Sequence, residues 1–305
     1  MRASERARHA QADDADDADH AQRVYDYMSK LWFMPATPVL SNGGTTRGLP
    51  ISCFLNEAND SLNGIVDLWN ENVWLASKGG GIGSYWGNLR SIGEKVGQNG
   101  KTSGIVPFIR VMDSLTLAIS QGSLRRGSAA VYLPVSHPEI EEFIDIRRPT
   151  GGDPNRKALN LHHGILIPDA FMRAVEADEE WALTSPKDGA VIRKISARGL
   201  WIRILLARIE QGEPYIIYSD AVNNARPEYH KLAGLEVKTS NLCSEITLPT
   251  GRDQHGQQRT AVCCLSSLNF ETWFEWKDHP TFIEDVMRFL DNVLQSFIDT
   301  APPAA

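Results

Sequence analysis

The sequence predicts an α/β fold, because short apolar runs with strand character alternate with segments whose apolar residues recur at helical spacing. The chain has 305 residues, of which 42% are hydrophobic, and this is long enough to bury a sizeable core. Its 31 basic and 38 acidic residues give a formal charge of −7, which argues against a non-specific nucleic-acid binder. No stretch reaches the roughly 18 apolar residues of a membrane span, and the N-terminus lacks the apolar run of a signal peptide. The sequence therefore predicts a cytoplasmic protein with neither nucleic acid nor membrane as a partner.

The N-terminal residues 1–23 are predicted to form a disordered or frayed acidic tail. Asp13 to Asp19 contains five aspartates, and so little apolar surface cannot offset the entropy of ordering. We expect order to begin near Val24. Thr37 to Ser41 and Ile51 to Leu55 have strand character, with the turn-forming stretch 41–44 between them.

The remaining elements follow from the same patterns, and we see no internal repeat. Glycines or prolines bound several of them. In chain order we predict a helix from Leu62 to Ala76 that ends at Gly79 to Gly81, a helix from Pro107 to Ser120, a strand from Ala129 to Leu133, a short acidic helix opened by Ser136 and Pro138, a strand from Ala158 to Ile167, a helix from Leu200 to Ile209 that ends at Gly212, strands from Pro214 to Tyr218 and from Thr260 to Leu268, and a final amphipathic helix from Ile283 to Ile298 that is broken by Pro302-Pro303.

The chain contains four cysteines, Cys53, Cys243, Cys263 and Cys264. They form no CxxC pair and no Cys/His cluster at zinc spacing, so we predict neither a disulfide framework nor a metal site. On this pattern alone they could be four buried, inert thiols.

Two glycine-rich segments fail as nucleotide motifs. Gly100-Lys101-Thr102 matches the end of a phosphate-binding loop, but Lys95 stands where that motif requires glycine. Gly81, Gly83 and Gly87 are spaced one residue too widely for the dinucleotide fingerprint. The stretch 79–83 still leaves bare backbone amides that could approach a ligand.

Two pairs of adjacent residues have alternative interpretations. His162-His163 lies in a strand-like run, where the rings would point to opposite faces, so a structural role is favoured over a shared metal. Arg125-Arg126 is either a solvated turn or a site for an anionic ligand.

The segment Ser240-Asn241-Leu242-Cys243-Ser244-Glu245 resembles the large, catalytic subunit of ribonucleotide reductase. In that family an asparagine, a cysteine and a glutamate at alternate positions lie on a loop threaded through a ten-stranded α/β barrel, and Asn241, Cys243 and Glu245 match them. The resemblance extends in order from Trp32 to Pro302. It implies that residues 24–305 are the N-terminal part of this barrel, which would be a first half-barrel plus the central finger loop.

Other segments match further positions of the family. Thr37, Ser52 and Gly81 resemble substrate-binding residues, and Asp60, Ser61, Leu62 and Arg90 resemble the residues that bind a nucleotide effector, a deoxynucleoside triphosphate or ATP. Gln121 to Gly127, with Arg125 and Arg126, resembles the loop that relays effector identity to the substrate. The strand that carries Cys263 resembles the one with the second redox cysteine.

The resemblance also implies roles in the chemistry. Cys53 and Cys263 would be the dithiol that supplies two electrons to the ribose 2′ position. Cys243 would become the thiyl radical that abstracts the 3′ hydrogen, Glu245 would be the general base on the 3′ hydroxyl, and Asn241 would orient the ribose hydroxyls. Cys264 faces away from Cys263 on a strand and is predicted to be a packing residue.

Large subunits of this family are normally more than twice this length, so we expect a truncated or split subunit that acts with a complementary C-terminal piece. The implied partners are a ribonucleotide, a second copy of the chain, and a reductant of the thioredoxin or glutaredoxin type. The radical source would be external, either a metal-containing small subunit or adenosylcobalamin, and we predict no cofactor bound by the chain itself. The alternative is a nucleotide-binding or assembly fragment without turnover.

Overall fold

The computed structural model describes residues 17, 19–98, 100–121, 125–253 and 255–300, and for Ser120, Gln121 and Arg125 it describes the backbone only. The predicted tail up to residue 16 and the terminal Pro302-Pro303 therefore lie outside the described residues. The chain divides into two compact units. The first comprises the N-terminal chain to Cys53, residues 78–80 and the chain from Val262, and the second comprises residues 54–77 and 81–261.

The described part of the chain contains helices of very different lengths. In chain order they are α1 (His20–Ser29), α2 (Thr37–Asn42), α3 (Leu62–Ser77), α4 (Val106–Ala118), α5 (Ile140–Ile144), α6 (Asp169–Ala177), α7 (Ala197–Gln211), α8 (Ser219–Asn224), α9 (Glu228–Leu232), α10 (Trp273–Trp276) and α11 (Phe282–Thr300), with short 3-10 turns at Pro154–Arg156 and Phe270–Thr272.

The strands are mostly short. In chain order they are β1 (Phe33–Pro35), β2 (Cys53–Glu57), β3 (Gly81–Tyr85), β4 (Lys95–Val96), β5 (Gly100–Lys101), β6 (Ser120–Gln121), β7 (Arg125–Arg126), β8 (Ala129–Pro134), β9 (His162–Ile167), β10 (Glu180–Thr184), β11 (Val191–Ser196), β12 (Tyr215–Tyr218), β13 (Gly251–Arg252), β14 (Gln258–Arg259), β15 (Ala261–Cys263) and β16 (Ser266–Leu268).

The second unit is built on a sheet in which strands follow the order β12, β9, β8, β3, β2. The pairs β12 with β9, β9 with β8 and β8 with β3 are parallel, which requires the intervening helices as crossovers. Alternate residues of β8 point to opposite faces: Val131 belongs to the large core that includes residues of α3, α4, α6 and α7, whereas Tyr132 belongs to a small cluster that Leu242 contacts. One face of the sheet is therefore covered by helices, and the other receives the Cys243 segment.

The first unit is held by a helix pair. The Arg23 guanidinium of α1 contacts Asp285 of α11 at 2.7 Å, and Tyr27 donates a hydrogen bond of 2.7 Å to the same carboxylate. Although burial opposes ionisation, these bonds lower the pKa of Asp285 to about 2. In the same unit β1 pairs antiparallel with β16, with Met34 opposite Ser267.

The α/β class predicted from the sequence is confirmed, and several boundaries are corrected. The predicted strand from Thr37 to Ser41 is helix α2, because Pro38 occupies its first turn, where proline is preorganised for a helix. Helix α1 begins at His20, before the expected start at Val24, because His20 and Ala21 are buried in the first unit. The predicted strand from Thr260 to Leu268 is two strands, β15 and β16, which pair with different partners.

No helix in the described ranges is both long enough and apolar enough to cross a membrane.

Candidate functional site

The segment of residues 239–250, which we call the cysteine loop, holds itself in shape through Asn241. The Asn241 side chain is fully buried, and its Oδ1 accepts hydrogen bonds from the backbone N–H groups of Glu245 at 3.1 Å and Ile246 at 3.0 Å. The Ser240 hydroxyl donates to the carbonyl of Ile246 at 2.6 Å. Ser244 lies at the tip with φ of +67°. The loop is therefore a turn closed by one amide side chain, and Cys243 is one of the residues between its two hydrogen-bonded ends.

The sheet accepts this loop at a glycine. A Cβ on Gly83 of β3 would lie 1.7 Å from the carbonyl oxygen of Ser240, so only glycine permits the two backbones to approach this closely. Beside it, the Tyr132 hydroxyl donates to the carbonyl of Asn241 at 2.5 Å. Burial raises the pKa of Tyr132, so this phenol remains a donor.

A buried carboxylate joins the two ends of the cysteine loop. Glu57 of β2 accepts a hydrogen bond from Thr250 Oγ1 at 3.1 Å, and its Oε2 lies 3.8 Å from Lys238 Nζ. Asn88 donates to its other oxygen at 3.1 Å. The two ends of the loop therefore lie close together, because both contact the Glu57 carboxylate.

The side chains of the loop alternate in exposure. Cys243 and Glu245 are exposed, whereas Leu242, Ser244 and Ile246 are partly buried. The structure thus brings together the three residues of the predicted triplet, with Asn241 as the buried organiser and the thiol and carboxylate presented outward. Asn241 Oδ1 accepts from the loop backbone and from the Ser240 hydroxyl at 3.3 Å, so part of its predicted capacity to bind hydroxyls is used by the loop itself.

A polar network adjoins the strands that support the loop. Glu213 accepts hydrogen bonds from both histidines of the predicted pair, His162 through a short contact and His163 at 3.1 Å, and from Arg147 at 3.2 Å. Burial opposes ionisation, but these bonds lower the pKa of Glu213 to about 2. The His162 ring stacks on Tyr215, whereas the buried His163 ring packs on Phe143, so the predicted opposite orientation of the two rings is confirmed.

The predicted dithiol residues lie on adjacent segments of the first unit. The N–H of Ser52, which precedes Cys53, donates to the carbonyl of Cys263 at 2.9 Å, and both cysteines are buried. The Ser52 hydroxyl is also buried, and within the described residues it has no hydrogen-bond partner. A buried orphan hydroxyl is costly unless a ligand satisfies it.

The other predicted residues of the first unit differ in their surroundings. Thr37 is exposed at the start of α2. Cys264 packs against the apolar cluster of the first unit, its thiol contacts the carbonyl of Leu290 at 3.6 Å, and burial raises its pKa to about 11. These surroundings support the predicted packing role, and a raised pKa leaves little of the thiol as the reactive thiolate.

The four predicted effector residues line one cavity of about 560 Å³ in the second unit. Arg90 binds Asp60 through two nitrogens, with Nη2 at 2.7 Å and Nε at 2.9 Å from Oδ2. The Ser61 hydroxyl accepts from the N–H of Gly64 at 2.9 Å and so caps the first turn of α3. The complete lining is Asp60, Ser61, Leu62, Ile65, Leu89, Arg90, Val96, Gly97, Gly100, Lys101, Thr102, Ser103, Gly104, Ile105 and Phe108.

Sequence reasoning missed one side of this cavity. Gly97 and the run Gly100 to Gly104 line it, although their spacing excluded a phosphate-loop motif. The glycines and Lys101 could have indicated this part of the cavity, because bare backbone amides beside a cation suit an anionic ligand. Glu57 carried no such signal.

The predicted specificity loop lies partly outside the described residues, since 122–124 are not described. Its two sides pair as β6 and β7, with Gln121 opposite Arg125 and Ser120 opposite Arg126. The Arg126 side chain is exposed. Gly81, the remaining predicted substrate residue, is buried at the first position of β3.

No group of three or more His, Cys, Asp or Glu side chains is placed to hold a metal ion in the described parts of the chain.

The sequence matches two family models that meet near residue 50. Residues 51–304 match the ribonucleotide reductase barrel domain, and residues 3–48 match the ribonucleotide reductase all-alpha domain.

Curated relatives from viruses are similar to this chain over most of its length. The Frog virus 3 (isolate Goorha) protein described as "Putative ribonucleoside-diphosphate reductase large subunit" is 46% identical over 282 residues, which cover 92% of this chain and 47% of that protein. The ribonucleoside-diphosphate reductase large subunit of Invertebrate iridescent virus 3 is 41% identical over 337 residues, covering 93% of this chain and 51% of the relative. The chain spans about half the length of the curated relatives it matches.

A solved structure supports the same relationship. The Actinobacillus ureae class Id ribonucleotide reductase alpha subunit superposes with a TM-score of 0.81 at 31% identity, covering 98% of this chain and 51% of the other. Both the barrel-domain match over residues 51–304 and this superposition include the cysteine loop and the effector cavity. The chain belongs to the ribonucleotide reductase large-subunit family.

Proposed function

We propose that this chain is the first half of a ribonucleotide reductase catalytic barrel, and that it reduces ribonucleotides to deoxyribonucleotides together with a complementary C-terminal piece. The observation that carries the proposal is the cysteine loop, in which a buried Asn241 fixes a turn that presents Cys243 and Glu245 outward. The loop lies on the face of the sheet that helices leave open, where the interior of a barrel would be.

The proposed chemistry balances within the chain and its substrate. A thiyl radical at Cys243 abstracts the 3′ hydrogen of the ribose, and Glu245 accepts the proton of the 3′ hydroxyl. The 2′ hydroxyl leaves as water, and two electrons with two protons come from the thiols of Cys53 and Cys263, which become a disulfide. The 3′ hydrogen then returns from Cys243, which regenerates its radical, and Glu245 returns its proton to the 3′ oxygen.

The substrate is a ribonucleotide, with Ser52, Thr37 and Gly81 as binding residues. The orphan Ser52 hydroxyl supports this role, because a ligand oxygen would supply its missing hydrogen bond. The diphosphate form is favoured because the relatives from Frog virus 3 and Invertebrate iridescent virus 3 are described as ribonucleoside-diphosphate reductases.

The cavity around Asp60 and Arg90 is proposed to bind the nucleotide effector, a deoxynucleoside triphosphate or ATP. Its apolar side, formed by residues such as Leu62 and Phe108, suits a base, and its Lys101 side suits phosphates. Gln121, Arg125 and Arg126 would relay effector identity to the substrate.

The proposal requires partners that the chain does not contain. They are a radical source, which is a metal-containing small subunit or adenosylcobalamin, a reductant of the thioredoxin or glutaredoxin type, and a second copy of the subunit.

The test is deoxynucleotide formation by the chain combined with the complementary C-terminal polypeptide and the radical source. Cys243→Ser should abolish turnover, and Cys53→Ser and Cys263→Ser should each abolish dithiol-dependent turnover. Cys264→Ser is the matched control and should retain it, because that thiol packs against apolar residues.

Deoxynucleotide formation by Cys243→Ser would refute the role of that residue. If the wild-type assembly binds nucleotides but reduces none of them, the chain is instead a nucleotide-binding fragment, a function that the cavity alone could support.

A further inference from the structure

The buried carboxyl of Glu139 lies behind one side of the effector cavity. We call this side, residues 89–98 and 100–105, the cavity wall. Glu139 Oε2 accepts hydrogen bonds from the N–H of Ile92 at 3.0 Å and from the N–H of Ile105 at 3.1 Å. One carboxyl group therefore joins both ends of the cavity wall, although Glu139 itself does not line the cavity.

The wall is shaped to receive this carboxyl. Gly104 has φ of +85°, and a Cβ at this position would lie 2.3 Å from Glu139 Oε1. Glycine is needed here both for its backbone conformation and for the space that the carboxyl occupies.

Two further side chains hold the wall from the same side. His137 Nδ1 accepts from the N–H of Glu139 at 3.1 Å, so its Nε2 carries the proton and donates to the carbonyl of Leu89 at 2.9 Å. Burial lowers the pKa of His137 to about 4, which keeps this neutral form. Arg156 donates to the carbonyl of Ser103 at 3.3 Å.

The charge of Glu139 is only weakly compensated. The nearest described cation, the Arg156 guanidinium, is 3.7 Å from the Glu139 carboxyl and is hydrogen-bonded to Glu142 of α5. Glu94 of the wall is held by hydrogen bonds to Ser91 and Ser185. Burial raises the pKa of Glu139 to about 7, and the backbone bonds from Ile105 and Ile92 oppose this rise.

We propose that Glu139 is a positioning residue for the effector cavity, whose ionised carboxylate holds the two ends of the cavity wall in the shape that binds a nucleoside triphosphate. This rests on the proposed effector site. Hydrogen bonds to an ionised acceptor are stronger than those to a neutral one, so protonation loosens the wall. Nucleotide binding at the cavity therefore weakens as the pH falls through about 7.

The first measurement is amide hydrogen exchange of the whole chain without nucleotide, corrected for the intrinsic effect of pH. In the wild type the protection of the Ile92 and Ile105 amides should rise on the order of tenfold between about pH 6 and pH 8. In Glu139→Gln it should not change with pH, because the amide does not titrate. Glu141→Gln, on the same helix, is the matched control and should keep the wild-type pH profile, since Glu141 pairs instead with Arg203 at 2.9 Å.

The second measurement is equilibrium binding of dTTP to the same three proteins. Titration of the nucleotide phosphates is common to all of them, so the ratio of wild-type to Glu139→Gln affinity isolates Glu139. This ratio should be on the order of tenfold near pH 8 and close to one near pH 6. Gly104→Ala, which displaces the carboxyl, should weaken binding at both pH values.

A wild-type protection profile that does not change with pH would overturn the proposal, and so would a pH-dependent profile in Glu139→Gln. If protection follows the expected pattern but the wild type binds no dTTP, the proposed effector site is wrong and the anchoring by Glu139 stands.

Discussion

The cysteine loop and the cavity wall are both joined at their ends by a buried carboxylate, but they differ in what shapes the chain between those ends. Glu57 serves the cysteine loop, and Glu139 serves the cavity wall. The cysteine loop is closed by its own Asn241 and packs against the backbone of β3, whereas the wall is held from behind and faces a cavity of about 560 Å³. The difference indicates that the cysteine loop, the proposed site of chemistry, is shaped by contacts within the chain, whereas the cavity wall borders open space that the proposed effector would fill.

The largest expected effect comes from adding a methyl group where the cysteine loop and the backbone of β3 are already in contact. In Gly83→Ala, the new Cβ would lie 1.7 Å from the Ser240 carbonyl oxygen, and we expect the free energy of unfolding to fall by about 3 kcal/mol. Urea denaturation measures it. Gly199→Ala in α7 is the control, since its Cβ would be 3.3 Å from Ser196, and it should stay within about 1 kcal/mol of the wild type. Wild-type stability of Gly83→Ala would contradict a tightly packed loop.

The next effect tests whether the cysteine loop is closed by Asn241. Asn241→Ala leaves the partly buried N–H groups of Glu245 and Ile246 without their acceptor, which should cost about 1 kcal/mol of unfolding free energy and the exchange protection of those two amides. Asn241→Asp keeps an acceptor oxygen and should retain most of that protection. If Asn241→Ala protects these amides as well as the wild type, another group shapes the loop.

Acid should distinguish two buried carboxylates, Glu213 and Glu139, because their pKa values are shifted in opposite directions. The pKa of Glu213, which binds both histidines of β9, is lowered from 4.5 to about 2, so its contribution to stability is complete above about pH 4.5 and is lost as the pH falls toward 2. Glu213→Gln should therefore be less stable than the wild type by about 2 kcal/mol near pH 6, and this difference should vanish near pH 2.

Urea denaturation across this pH range measures the difference. Glu210→Gln is the control, since it removes an exposed ion pair with Arg148, and its effect should stay below about 1 kcal/mol throughout. A Glu213→Gln penalty that persists at the acid end would exclude titration of Glu213 as its cause.

The smallest expected effect on stability is at the mouth of the cavity. Asp60 and Arg90 are partly exposed, so a double-mutant cycle with alanine should give a coupling free energy no larger than about 1 kcal/mol. Binding of dTTP should nevertheless fall in both single variants, because their side chains line the cavity. Wild-type dTTP affinity in both variants would place the nucleotide elsewhere.

The cysteine loop and the two carboxylates, Glu57 and Glu139, also differ in how far they could be predicted from the sequence. The cysteine loop was predicted because Asn241, Cys243 and Glu245 stand at alternate positions of one short segment, which resembles the large subunit of ribonucleotide reductase. Glu57 and Glu139 were not predicted, because their partners lie far away in the sequence: Glu57 binds side chains and Glu139 binds backbone N–H groups that only the tertiary fold brings near.

Local sequence patterns gave a wrong prediction where the same residues can form either a helix or a strand. Thr37 to Ser41 has strand character, but Pro38 in a first turn and an extended Ala36 before it permit helix α2. Gly100 to Thr102 failed a motif defined by spacing, yet these residues line the cavity because a β4–β5 hairpin places them there. A spacing rule excludes one loop geometry and does not exclude anion binding.

The most direct test of the contrast is amide hydrogen exchange of the whole chain with and without saturating dTTP. We expect the nucleotide to raise the exchange protection of amides across the cavity wall and to leave the amides of Glu245 and Ile246 as protected as they were without it. Unchanged protection of the wall, or low protection of these two loop amides that rises only on adding dTTP, would contradict it.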